Sequence, residues 1–147
     1  MHWNLPHRFF SEAEQSRLAA AIREAESQTS GEVRIHLIRS ARGDLLEVGK
    51  RIFEKLGMTR TAERNGILFL LELKHHRLAI LGDKGIHEKV PQDFWGNIRD
   101  IVLEEFHQER FAEGLTKGVL RCGEQLKIYF PSRAGDRNEL SDQITSE

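Results

Sequence analysis

A chain of 147 residues with 39% hydrophobic residues has room for one domain around one substantial core, not for two. Its 22 Lys and Arg against 23 Asp and Glu give a formal net charge of -1, which excludes a global attraction to nucleic acid or to an anionic membrane. Cys122 is the only cysteine, so an internal disulfide and a thiolate-rich zinc site are excluded, and a reducing, cytoplasmic setting is the simplest expectation.

Residues 1–10 mix His2, Asn4, His7 and Arg8 with aromatics and contain no apolar run of signal-peptide length, so they read as an N-terminal extension. Trp3, His7, Phe9 and Phe10 could offer a partner surface there or pack back on the domain, which is expected over residues 11–131. Ser11 and Glu14 have capping-box spacing, and Leu18, Ala21, Ile22 and Ala25 then recur at helical period, predicting a helix over residues 12–28. Residues 32–39 alternate, with Val33, Ile35 and Leu37 on one side, as a strand does. Asp44 can cap a second helix carrying Leu45, Val48, Ile52, Phe53 and Leu56, which Gly57 ends.

The run Ile67, Leu68, Phe69, Leu70, Leu71 predicts a central strand buried on both faces. It falls far short of the roughly 20 residues that cross a bilayer, so direct membrane insertion is not expected. A polar break at Lys74, His75 and His76 suggests a hairpin into a third strand through Leu78 and Leu81. Pro91 opens a further helix with Phe94, Ile98, Ile101, Val102 and Phe106, and a last helix from residue 111 carries Leu115, Val119, Cys122, Leu126 and Tyr129 on its inner face. The tail, residues 132–147, is polar and aperiodic and is expected to be disordered. This order predicts the α/β class: a three-layer α/β/α sandwich on a small mixed β-sheet, with the first two strands parallel and the third antiparallel to the second.

That topology brings three polar, glycine-containing loops to one rim: Ser30, Gly31 and Glu32; Glu63, Arg64, Asn65 and Gly66; and Gly82 to Gly85 with Asp93 behind. Converging oxygen donors suit a hard cation, Ca2+ or Mg2+. Glu32 and Asp83 are the leading candidate ligands, followed by Glu63, Asn65 and Asp93. Polar strand ends are also common for structural reasons, since Asp83 favours a turn and Asp93 complements a helix N-terminus. The opposite rim is cationic, with Arg39, Ser40, Arg42, Lys74, His75, His76 and Arg77. It could take a phosphate or an acidic partner beside the second helix, or simply deter edge pairing. His75 and His76 are adjacent and point apart, His87 could join Asp83 or stay a loop histidine, and Cys122 reads as a buried structural thiol. Gly82 to Gly85 lacks the dinucleotide and phosphate-loop patterns.

The segments Thr29-Ser-Gly-Glu-Val-Arg-Ile-His36, Asn65-Gly-Ile-Leu68, Gly82-Asp-Lys-Gly-Ile86 with Val90-Pro-Gln-Asp-Phe-Trp95, and Phe111-Ala-Glu-Gly-Leu-Thr-Lys-Gly118 together resemble the TPM domain family, in particular its short soluble bacterial members. The resemblance spans residues 11–130. It implies an α/β/α sandwich that binds a divalent cation, calcium or magnesium, in loops at one end of the sheet, and in some members acid phosphatase activity. Where many members carry Asp before the Asn-Gly pair, this chain has Arg64, which removes a ligand or replaces it with positive charge. The expected function is therefore divalent-cation binding with weak or absent phosphatase activity. The alternatives are an interaction module for an unidentified protein partner and a metal-dependent acid phosphatase.

Overall fold

The computed structural model describes residues 8–132 and 144–147. Helix α1 (Glu12–Ser27) starts with the expected capping box: the Glu14 N–H donates to Ser11 Oγ at 3.1 Å, and the Ser11 N–H donates to Glu14 Oε1 at 2.9 Å. Strand β1 (Glu32–Ile38) follows. Helix α2 (Leu45–Lys55) is capped by Asp44, which accepts from the Leu46 N–H, and the chain leaves it through Gly57 at φ +70°. Strands β2 (Gly66–Glu72) and β3 (Arg77–Gly82) form the expected hairpin, and α3 (Lys84–Lys89), α4 (Phe94–Phe106) and α5 (Phe111–Tyr129) complete the helical layers.

The sheet order is β3-β2-β1-β4, where β4 is the two-residue strand Thr145–Ser146. β1 and β2 run parallel with Glu32 opposite Gly66, and β3 runs antiparallel to β2 with Gly82 opposite Ile67. Alternation along the strands divides the core in two. Val33, Ile35 and Leu37 of β1 join Ile67, Phe69 and Leu71 of β2 beneath α1, α4 and α5. Leu68 and Leu70 face the other way, with Ala79 and Leu81, onto Leu45, Ile52 and Phe53 of α2. Each such large side chain contributes about 1.5–3 kcal/mol by leaving water, which is why β2 sits in the interior of the sheet. The larger core also requires intimate helix contact: a Cβ on Gly123 would lie 2.7 Å from the Ala25 backbone, so α1 and α5 meet almost main chain to main chain.

Two expectations need correction. Residues 84–89, read as a loop, form α3, because Asp83 accepts from the Lys84 N–H and starts a short helix. The end of the tail, expected to be disordered, is ordered at residues 144–147, where β4 pairs with His36 and Leu37 of β1; residues 133–143 lie outside the described residues. Of the two readings of the N-terminal aromatics, packing back on the domain holds for Phe9 and Phe10: Phe10 is buried and Phe9 packs on it and on Phe111, while Trp3 and His7 lie outside the described residues. Among the described residues no helix is long and apolar enough to cross a membrane.

At Gly85 the start of α3 is pressed against the loop before β2. A Cβ there would lie 2.1 Å from the Glu63 carbonyl oxygen and 2.7 Å from that of Arg64. Both are backbone atoms, which cannot swing aside as a side chain can. Gly85→Ala is expected to lower the unfolding free energy by about 1–3 kcal/mol, the usual cost of overpacking, in urea titration. An unchanged midpoint would show that the loop yields without cost.

Candidate functional site

Backbone hydrogen bonds stitch the three rim loops together. The Glu32 N–H donates to the Asn65 carbonyl at 3.4 Å, the Asp83 N–H to that of Gly66 at 3.0 Å, and the Gly85 N–H to that of Arg64 at 2.9 Å. Side chains then knit the same place. Ser30 Oγ donates to Glu63 Oε2 at 2.5 Å, Asn65 Nδ2 donates to Ser30 Oγ at 3.2 Å, and the Asn65 N–H donates to Thr61 Oγ1 at 3.1 Å. Glu32, Asn65 and Asp83 are buried, whereas Glu63 is half-buried.

Arg64 dominates the electrostatics of this rim. It sits at φ +52°, a left-handed conformation that non-glycine residues seldom adopt, and from there its guanidinium forks around Asp83. Nε donates to Oδ2 at 2.5 Å and Nη2 to Oδ1 at 2.8 Å; the same Oδ1 accepts from the Lys84 N–H. This bidentate, charge-assisted bond with Asp83 pushes the Arg64 guanidinium still further toward its charged form. Asp83 thus does two structural jobs, capping α3 and holding Arg64.

Of the five candidate ligands, Glu32, Glu63, Asn65 and Asp83 share the rim, and Asp93 does not join them. Asp93 is exposed at the start of α4 and makes no capping hydrogen bond. His87 also stays outside, exposed on α3 and stacked on Trp95 with ring centroids 5.3 Å apart. Among the described residues no three His, Cys, Asp or Glu side chains are arranged to hold one ion, and Arg64 is bonded to both oxygens of Asp83.

The cationic rim at the other end of the sheet is in part a support for a buried acid that sequence reasoning missed. Glu72 is fully buried at the end of β2. Its Oε1 accepts from the His75 N–H at 3.1 Å and from Arg77 Nε at 3.3 Å, and its Oε2 meets His75 Nδ1 at 2.9 Å and the Ala41 N–H at 3.3 Å. Burial pushes the carboxyl up, but these hydrogen bonds prevail and hold it below the usual 4.5. Arg77 also donates to the carbonyls of Gly43 and Ala41, so neither His75 nor Arg77 belongs to an open anion surface. The available signal was an acid closing an apolar strand, with basic residues three and five positions on. Cys122 is buried in the larger core, and burial pushes its thiol far up, as expected of a structural cysteine.

The sequence matches the TPM domain family over residues 5–125. No curated protein matches it significantly. Among solved structures, the BA42 protein of the psychrophilic bacterium Bizionia argentinensis superposes with a TM-score of 0.91 at 34% identity, covering 95% of this chain and 96% of that one. The N-terminal domain of a P. gingivalis protein shares the fold, with a TM-score of 0.67 at 22% identity over 82% of this chain and 78% of that chain. The four motifs, the parallel β1–β2 pair with its β3 hairpin, the family match and the BA42 likeness agree, and the chain belongs to the TPM domain family.

Proposed function

We propose that the chain is a divalent-cation-binding domain, taking calcium or magnesium at the rim where β1 and β2 start, with its affinity held low by Arg64. The observation that carries this reading is the stitching of three oxygen-bearing loops around a single guanidinium, which neutralises Asp83 where an ion would otherwise do so. Glu63, Glu32, Asn65 and backbone carbonyls supply hard donors, and Asp83 joins them once Arg64 swings out. Calcium suits the site better than magnesium because it tolerates irregular coordination, and better than a transition metal because the donors are oxygen. Asp93 would contribute only through the field at the start of α4.

The acid phosphatase alternative is weaker for this chain. Hydrolysis would need, beyond the release of Arg64 from Asp83, a nucleophile or an activated water beside the phosphoryl group, whereas cation binding needs only that release. The buried lone thiol suits the reducing, cytoplasmic setting expected above. Titration calorimetry on metal-free protein tests the proposal. Saturable heat is expected with millimolar calcium and weaker heat with magnesium; no response to either at millimolar concentration overturns it.

A further inference from the structure

The outer edge of β1 is covered by residues 144–147 of the same chain rather than by a full strand. β4 pairs only with His36 and Leu37, and the Glu147 N–H donates to the Leu37 carbonyl at 3.1 Å. Further up the same edge, the Val33 N–H is satisfied by the Glu26 carboxylate at 2.8 Å instead of by a strand. Two side chains of the tail make specific anchors. His36, buried on β1, meets Thr145 Oγ1 through Nδ1 at 2.6 Å and Glu147 Oε1 through Nε2 at 2.8 Å. Burial holds the His36 ring below its ordinary range despite the Glu147 carboxylate, so at neutral pH the ring is neutral, with Nε2–H donating to Glu147 and Nδ1 accepting from the Thr145 hydroxyl.

The Glu147 side chain lies in a groove of about 410 Å³ between the end of β1 and α2. Arg39, Arg51 and Lys55 line it, with Val48 and Ile52 as apolar floor. Lys55 Nζ reaches Glu147 Oε2 at 3.4 Å, whereas the guanidinium groups of Arg39 and Arg51 have no ion pair among the described residues. The Glu147 side-chain carboxylate therefore sits among three cations and a histidine N–H, more positive charge than that side chain alone neutralises.

We propose that the β1 edge and this groove form a docking site for an extended acidic peptide segment of a partner protein, and that residues 144–147 are its intramolecular occupant. The recognition has two parts. Main-chain bonds to the β1 edge align the segment as an added parallel strand, and an acidic side chain enters the Arg39, Arg51 and Lys55 groove. A Thr or Ser two positions before that acid reproduces the bond to His36. The tail competes at the high effective concentration of a tethered ligand, so the site is masked until the tail is displaced.

The test uses the full chain and a fluorescein-labelled peptide with the sequence of residues 142–147, Asp-Gln-Ile-Thr-Ser-Glu. The doubly substituted Thr145→Ala, Glu147→Ala chain, which lacks the side-chain anchors, is expected to bind this peptide at least tenfold more tightly than the wild type. Adding Arg51→Glu and Lys55→Glu should abolish that binding, as should a peptide ending in Gln. Equal affinity of the wild type and the released chain, or of the Glu and Gln peptides, overturns the proposal. The wild type gives an independent reading should the released chain fold poorly. Excess unlabelled peptide should move the Thr145 and Glu147 amide resonances of the isotopically labelled chain as its own tail is displaced, and their remaining fixed at millimolar peptide overturns it. A dimer of exchanged tails in sedimentation would assign the edge to a second copy and also overturn it.

Discussion

Glu72→Ala is expected to destabilise the protein by about 3 kcal/mol at neutral pH, a loss of roughly 6–12 °C in Tm. The carboxylate is fully buried and gathers four donors, two of them backbone N–H groups of Ala41 and His75 that have no other use. Removing it leaves those N–H groups to find water and unties Arg77, which holds the loop carbonyls of Ala41 and Gly43 against the hairpin. Glu72→Gln keeps the shape and loses the charge, so its loss should be smaller. The pH dependence has a defined sign. Because the folded-state pKa lies below the usual 4.5, the stabilisation is complete above 4.5 and fades as the pH falls through the depressed folded value. Urea unfolding should therefore show the gap between the wild type and Glu72→Gln narrowing as the pH is lowered from 7 to below 4.5. An alanine variant as stable as the wild type at pH 7 would mean that the cost of burying the carboxylate cancels its bonds.

Arg64→Asp is expected to raise calcium affinity at least tenfold over the wild type in calorimetry. The substitution releases Asp83 from the guanidinium, leaving only the Lys84 N–H on its Oδ1, and places another carboxylate between Glu63 and Asn65, so the site gains two donors and loses a competing cation. The backbone favours the exchange, because Asp enters the left-handed region at φ +52° more readily than Arg does. Without metal, the crowded carboxylates repel one another, and the variant should melt below the wild type until calcium restores it. Arg64→Ala separates the two contributions and should fall between them. An affinity unchanged in both variants would remove Asp83 from the metal site.

The layers of the fold are legible in the sequence because they follow from periodicity. The five-residue apolar run at Ile67 to Leu71 can be buried on both faces only in the interior of a sheet, and the polar break at Lys74 to His76 is too short for a crossover. The convergence of the rim loops follows from that topology. What periodicity does not encode is who pairs with whom: Asp83 was visible as an oxygen donor, but its capture by Arg64 depends on a left-handed turn at one residue. Elements of six and two residues, α3 and β4, are similarly silent, since neither completes the repeat by which longer segments announce themselves. His36 was readable as a strand residue facing away from Val33 and Ile35, yet its partners stand more than a hundred residues downstream.

The main-chain contact between α1 and α5 bears on how the protein is made. Synthesis delivers Leu18, Ile22 and Ala25 early, while Leu115, Val119, Gly123 and Leu126, which cover them, emerge from the ribosome about a hundred residues later. At 5–20 residues per second, the apolar stripe of α1 waits roughly 5–20 s for its cover. During that interval β1, α2, β2 and β3, drawn from one continuous stretch between Glu32 and Gly82, can already assemble, but α4 and α5 are still missing from one face of their sheet. The larger core therefore forms last, only once α5 has been made and can close over α1.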